Sequence, residues 1–191
     1  MPSVPAPSLE LSQVGRAAHD VGLAGLLGGN LFGRFALHPS VTEISDARER
    51  GKVVNAAWSR YGTINSLSVL AVVAGWTGAR LNEAAPSRLS PEEQKLALAK
   101  DALVGVVAAC GIAMGAEGMR FAKVAPGGAV PLEDGDHAAP TATEKARKLK
   151  QRVNRLGALT MGAELGLVVV NSALSQRNFR RPPARRLFSR L

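Results

Sequence analysis

The chain has 191 residues, 46% of them apolar but only 4% aromatic, with 20 glycines and a formal charge of +9. That is enough apolar mass for one cored domain, built from small side chains rather than from the aromatic volume of large soluble cores. The basic charge permits nucleic acid or anionic lipid as partner. No aromatic–basic interleaving, zinc-ligand spacing or helix-turn-helix pattern supports nucleic acid, so the charge points to basic loops beside a bilayer.

The first residues, 1–11, are Pro/Ser-rich with no basic leader, and we expect a flexible N-terminus without a cleavable signal peptide. The first helix is predicted over residues 12–37 and is expected to stop at His38–Pro39, since Pro disfavours helix in the preceding residue. It carries a small-residue face of Ala18, Gly22, Gly25, Gly29 and Gly33. Residues four apart stack on one helix face. Interior glycine costs a soluble helix about 1 kcal/mol against Ala. Membrane helices use it because it lets backbones pack closely where no hydrophobic effect drives association. The stripe is therefore expected to offer a surface to another helix, including one from a second protomer.

A second helix is predicted over 46–82, charged at first and apolar from Ile64 to Ala79. A third, over 91–122, opens with Ser90-Pro91-Glu92-Glu93, a capping box with Pro at the first helical position. A fourth, over 141–176, is expected to open with a Thr141/Glu144 box, followed by a basic stretch and then apolar Leu156–Leu174. Gly111 and Gly115 on the third helix and Gly162 and Gly166 on the fourth are further candidate packing positions. The intervening loop 126–140, rich in Gly, Pro and acid, is expected to be exposed. A basic tail, 177–191, follows and is a candidate for contact with anionic lipid.

The expected fold is all-α, an antiparallel four-helix transmembrane bundle with charged helix extensions. The apolar runs are roughly 15 to 21 residues against the roughly 20 that a span needs. The mean hydropathy of +0.05 is low for such a protein and is explained by charges segregated between the runs. Basic residues flank the runs on both sides, so the positive-inside rule leaves orientation undetermined. A soluble bundle with long amphipathic helices is the alternative architecture. The one cysteine, Cys110, lies in an apolar run and excludes an intrachain disulfide.

Counting helical rise in alternating directions brings polar residues of all four helices to similar depth: Asn30, Arg34, Tyr61, Asn65, Glu117 and Glu164. Polar groups inside a span face the interior or water and pair with one another. The expected pairs are Arg34 with Glu117, and Glu164 with Asn30 or Asn65. His19 and Asp20, near the start of the first helix, form a candidate proton or ligand site, with Asp20 also suited to the helix N-terminal dipole. No HExxH, CxxC, GxSxG, Walker or GxGxxG element is present, and no cofactor or metal is expected.

The stretch HDVGLAGLLGGNLFGRFALHPSV followed by RERGKVVNAAWSRYGTINSLS resembles an uncharacterised family of small four-helix integral membrane proteins from actinobacteria. The matching residues are His19, Asp20, Gly22, Leu23, Ala24, Gly28, Gly29, Leu31 and Gly33, then Arg50, Val54, Asn55 and Trp58. A looser likeness in layout links the chain to the anthrone-oxygenase-like membrane family, from which no catalytic residues carry over. The resemblance implies a multi-pass protein of the cell membrane. The function expected is that of a non-enzymatic scaffold or subunit of a membrane assembly, homo-oligomeric or with other membrane partners. The alternatives are a membrane enzyme or carrier of a lipophilic substrate such as a quinone, and a soluble oligomeric bundle.

Overall fold

The computed structural model describes residues 11–179 and is helical nearly throughout; among the described residues there is no strand. Helix α1 covers Leu11–Phe32 and runs through a π-helical turn, Gly33–Leu37, into a short α2, His38–Ser40. The other long helices are α3, Ala47–Leu81, α4, Pro91–Ala122, and α5, Glu144–Phe179. Of the four long helices, α3, α4 and α5 are long and apolar enough to cross a membrane. The first does not meet that measure, because its glycines and the polar His19, Asp20 and Asn30 dilute its apolar residues.

The helix starts follow side-chain chemistry. Asp46 caps α3, its carboxylate accepting from the N–H groups of Arg48 and Glu49 at 2.8 and 2.9 Å. Those N–H bonds, Glu49's first, hold the Asp46 carboxyl below its ordinary pKa. Ser90 and Glu93 form the capping box of α4: Ser90 N–H donates to Glu93 Oε2 at 2.9 Å, and Glu93 N–H to Ser90 Oγ at 3.4 Å. The expected Thr141 box at α5 is not formed. Ala142 is drawn into the core, so the helix begins later, and Thr143 Oγ1 accepts the Ala146 N–H at 3.2 Å.

The expected stop at His38–Pro39 is also corrected. The π turn carries helical backbone past Pro39: Leu37 and His38 keep helical φ/ψ ahead of the proline, and the His38 N–H donates to Gly33 O five residues back. At the other end, α5 extends past the expected boundary to Phe179, and Arg177 pairs with Glu92 of α4. Of the segments expected to be a flexible N-terminus, 1–11, and a basic tail, 177–191, residues 1–10 and 180–191 lie outside the described residues.

Helix α1 packs chiefly on α3, and α4 chiefly on α5. The glycine stripe makes the first contact. A Cβ on Gly22 would lie 2.7 Å from the Ser68 carbonyl oxygen, and one on Gly25 would lie 2.6 Å from Ser68 Oγ. A Cβ on Gly29 would enter the Tyr61 ring, and one on Gly33 the Trp58 ring. Gly15 meets Gly75 at the far end. The stripe is thus filled by α3 of the same chain, not left open for a second protomer. Ala18 is exposed, because the buried arc of α1 is centred toward His19, Leu26 and Asn30. On the later helices Gly111 meets Val69 and Gly166 meets Leu103, whereas Gly115 and Gly162 have no neighbour within 4 Å of an added Cβ. The latter two are not packing positions among the described residues.

Two apolar clusters form the core. One, built on Leu26, Val72, Val107 and Leu167, joins all four long helices. The other gathers Val54, Phe121 and Leu149 beneath the loop 126–140. That loop is not simply exposed: Val130 and Leu132 are fully buried in it. Gly51 allows the approach, since a Cβ there would strike the Val130 carbonyl.

Candidate functional site

Glu164 is fully buried, with 0% of its surface exposed. It lies on the α5 face shared with Thr160, Ala163 and Leu167, the inward side of that helix. Asn30 of α1 meets it, and Asn30 Nδ2 donates to both carboxyl oxygens at 2.9 Å. No Lys, Arg or His among the described residues forms an ion pair with Glu164. A buried carboxyl with an amide as its only partner can clamp two helices or carry a proton. The neighbouring hydroxyls are engaged elsewhere: Thr160 donates to Leu156 O at 2.8 Å, and Tyr61 donates to Gly25 O. Asn65 is half-buried and makes no hydrogen bond to Glu164. Between α1 and α3, beside Tyr61, opens a groove of about 460 Å3 whose walls include Phe32, Trp58 and Ile64.

The expected Arg34–Glu117 pair is not formed. Arg34 Nη1 donates to Asp136 Oδ1 at 2.9 Å, and Glu117 pairs with Arg120 of its own helix at 2.9 Å. The loop 126–140 folds back over the π-helical turn and α2 and brings a carboxylate that helical geometry does not foresee. Asp136 also accepts from His38 Nδ1 at 3.0 Å, and Trp58 Nε1 donates to His38 Nε2 at 3.0 Å. These two bonds fix the neutral tautomer with its proton on Nδ1. Burial, and then the charge of Lys150, push the His38 pKa below its ordinary 6.5, against the pull of Asp136.

A second polar cluster lies toward the other end. His19 is buried; its Nδ1 donates to Val72 O at 2.8 Å, and its Nε2 is buried without a hydrogen-bond partner. Asp20 lies well inside α1 rather than at its N-terminus, and it accepts from Asn171 Nδ2 at 3.3 Å. Lys100, only 7% exposed, stacks its ammonium 4.1 Å from the centre of the Trp76 ring. Trp76 Nε1 donates to Asp101 Oδ1 at 2.7 Å, and Arg80 pairs with the same carboxylate at 3.1 Å. Sequence reasoning missed Lys100, Asp101, Trp76, Arg80 and Asn171. One signal was available: Lys100 shares the helical face of Ala97, Val104 and Val107, all buried. Among the described residues no three His, Cys, Asp or Glu side chains converge as metal ligands.

Comparison of the chain with known protein families, with curated proteins and with solved structures finds no match in any of the three.

Proposed function

We propose that the chain is a small polytopic membrane protein of the cell membrane, an antiparallel four-helix bundle acting as a non-enzymatic scaffold or subunit of a membrane assembly. The observation that carries this reading is the outward apolar surface. Only 28% of the apolar stretch of α3, 28% of that of α4 and 22% of that of α5 is covered inside the chain. Val21, Phe32, Ile64, Leu70, Ile112 and Val169 are each more than half exposed. A soluble monomer rarely leaves so much apolar surface uncovered, whereas lipid tails cover it without cost. α1 crosses with α3: as residue numbers rise along α1 from Gly15 to Gly33, its α3 partners fall from Gly75 to Trp58. Gly28, Gly105, Gly115 and Gly162 have open space around them, which supports close approach by helices of a partner.

The test is an alkaline carbonate wash of membranes from cells expressing the full chain. Retention in the pellet, with release only by detergent, is expected; release by carbonate alone would overturn the membrane reading. Affinity purification in mild detergent then distinguishes a self-assembly from a mixed one, and recovery of bare monomer would overturn the subunit role.

The groove beside Tyr61 favours a second reading, a carrier of a lipophilic molecule. Its walls are mostly aromatic and aliphatic, with Arg60 among them, and Asn30, next in the chain to the lining residue Gly29, holds the fully buried Glu164. A lipophilic compound retained through purification, and lost in a Trp58→Ala protein, would support it.

A further inference from the structure

We propose that the cleft between the last turns of α4 and the first turns of α5 binds the phosphate headgroup of an anionic phospholipid, an inference that rests on the membrane reading above. The cleft measures about 720 Å3. Its lining holds five cations against two carboxylates, a net of three positive charges. The two carboxylates are already engaged: Glu117 with Arg120 at 2.9 Å and Arg152 at 3.9 Å, Glu144 with Lys148 at 3.3 Å. Lys123 and Lys145 make no ion pair among the described residues. The cations therefore face one another across the cleft without enough acid to balance them. Placing like charges together is unfavourable unless an anion joins them.

The position of the cleft selects the anion. On α4 the cations follow directly after the apolar run that ends at Ala116, and on α5 they precede the run that starts at Leu156. Two helices thus place their basic turns at the same edge of the apolar surface, the level of lipid headgroups. Leu149, buried, lies among the cations, and Leu159, two turns beyond Arg152 on the same face, is 55% exposed. A phosphate held by Lys123, Lys145 and Arg152 would let its acyl chains run along that face. Arg152 supplies the forked donors that suit phosphate oxygens, and the lysines supply point charges.

The test uses the full chain reconstituted into phosphatidylcholine vesicles with or without phosphatidylglycerol, followed by native mass spectrometry of the detergent-extracted protein. Wild type is expected to retain phosphatidylglycerol in preference to phosphatidylcholine. The triple change Lys145→Gln, Lys148→Gln, Arg152→Gln is expected to lower that preference at least about tenfold, as removal of three juxtamembrane cations implies. The charge-keeping set Lys145→Arg, Lys148→Arg, Arg152→Lys is expected to retain it, which separates loss of the site from loss of the fold. Equal retention of both lipids by wild type, or an unchanged preference in the triple variant, would overturn the site. Displacement of the lipid by millimolar inorganic phosphate would assign the cleft to a soluble phosphate and overturn the lipid proposal. Resistance of the vesicle-bound protein to alkaline wash is scored separately, so failed insertion overturns the membrane reading and is not confused with failure of the site.

Discussion

Asn30 and Glu164 lie 134 residues apart in the chain, and one amide nitrogen of Asn30 sits 2.9 Å from each carboxyl oxygen of Glu164. The contact ties α1 to α5, two helices that otherwise share little surface with each other. Because Glu164 is fully buried, whatever its carboxyl lacks in the protein it cannot obtain from solvent.

Removing one partner should therefore cost more than removing both. Asn30→Leu leaves the carboxyl unsatisfied and is expected to destabilise the detergent-solubilised protein by about 1–3 kcal/mol. Glu164→Gln keeps the shape and one of the two hydrogen bonds and should cost less. The double change Asn30→Leu, Glu164→Leu should recover much of the loss. Thermal unfolding followed by circular dichroism measures all three; strict additivity would show that the pair does not interact.

Two glycines of α1 should respond to alanine with opposite sign. At Gly22 a Cβ meets the Ser68 carbonyl at 2.7 Å, a backbone atom that cannot rotate away. Gly22→Ala is expected to cost about 1–3 kcal/mol through overpacking. At Gly28 nothing lies within 4 Å, so Gly28→Ala should gain up to about 1 kcal/mol of helix propensity. Equal melting shifts in the two variants would mean that the α1–α3 contact is looser than described.

Gly51→Ala should loosen the loop 126–140 specifically. The new methyl would strike the Val130 carbonyl and push Val130 and Leu132 out of their apolar cluster. Limited proteolysis is expected to cut the variant within 126–140 at a protease level that spares wild type. Identical digestion patterns would refute the anchoring role of that contact.

The Trp58–His38–Asp136 chain should come apart in acid. His38 has a folded-state pKa below its ordinary 6.5, chiefly through burial. Between the two pKa values the unfolded chain binds more protons, so stability rises with pH. The His38 contribution is full above 6.5 and is lost as pH falls through the folded value. Protonated Nε2 can no longer accept from Trp58. His137 acts in the opposite sense: its hydrogen bond to Asp134 raises its pKa, so its contribution is present below 6.5 and lost as pH climbs through the raised value. The His137 ring is 70% exposed, so its effect is small beside that of His38. In a Trp76→Phe background, Trp58 fluorescence is expected to change as pH falls below 6.5, and to stay flat over the same fall when His38 is replaced by Gln.

The long helices were legible because their signals are local. Asp46 and Ser90-Pro91-Glu92-Glu93 place their own helix starts whatever surrounds them, as the caps of α3 and α4 demonstrate. The Asn30–Glu164 pair was legible in part: helical rise brings both Asn30 and Asn65 to the depth of Glu164, and only packing selects Asn30. Arg34 and Glu117 misled because the same depth argument ignores loops. Asp136, on a segment without helical periodicity, reached Arg34 first, while Arg120 lay within one turn of Glu117. The Lys100–Trp76–Asp101–Arg80 group escaped notice because each of its members has an ordinary solvated explanation until two helices are placed together.

By itself the sequence determined an all-helical chain, the starts of α3 and α4, and a glycine stripe that demands a close neighbour. These rest on backbone hydrogen-bond satisfaction and on periodicity, which act within a few residues of chain. Tertiary structure alone decided that α3 is that neighbour, that the acidic loop is buried through Val130 and Leu132, and that the basic turns of α4 and α5 face each other across one cleft. Those outcomes depend on which surfaces meet, and packing between distant segments is set by shape and burial over the whole molecule rather than by any local run of residues.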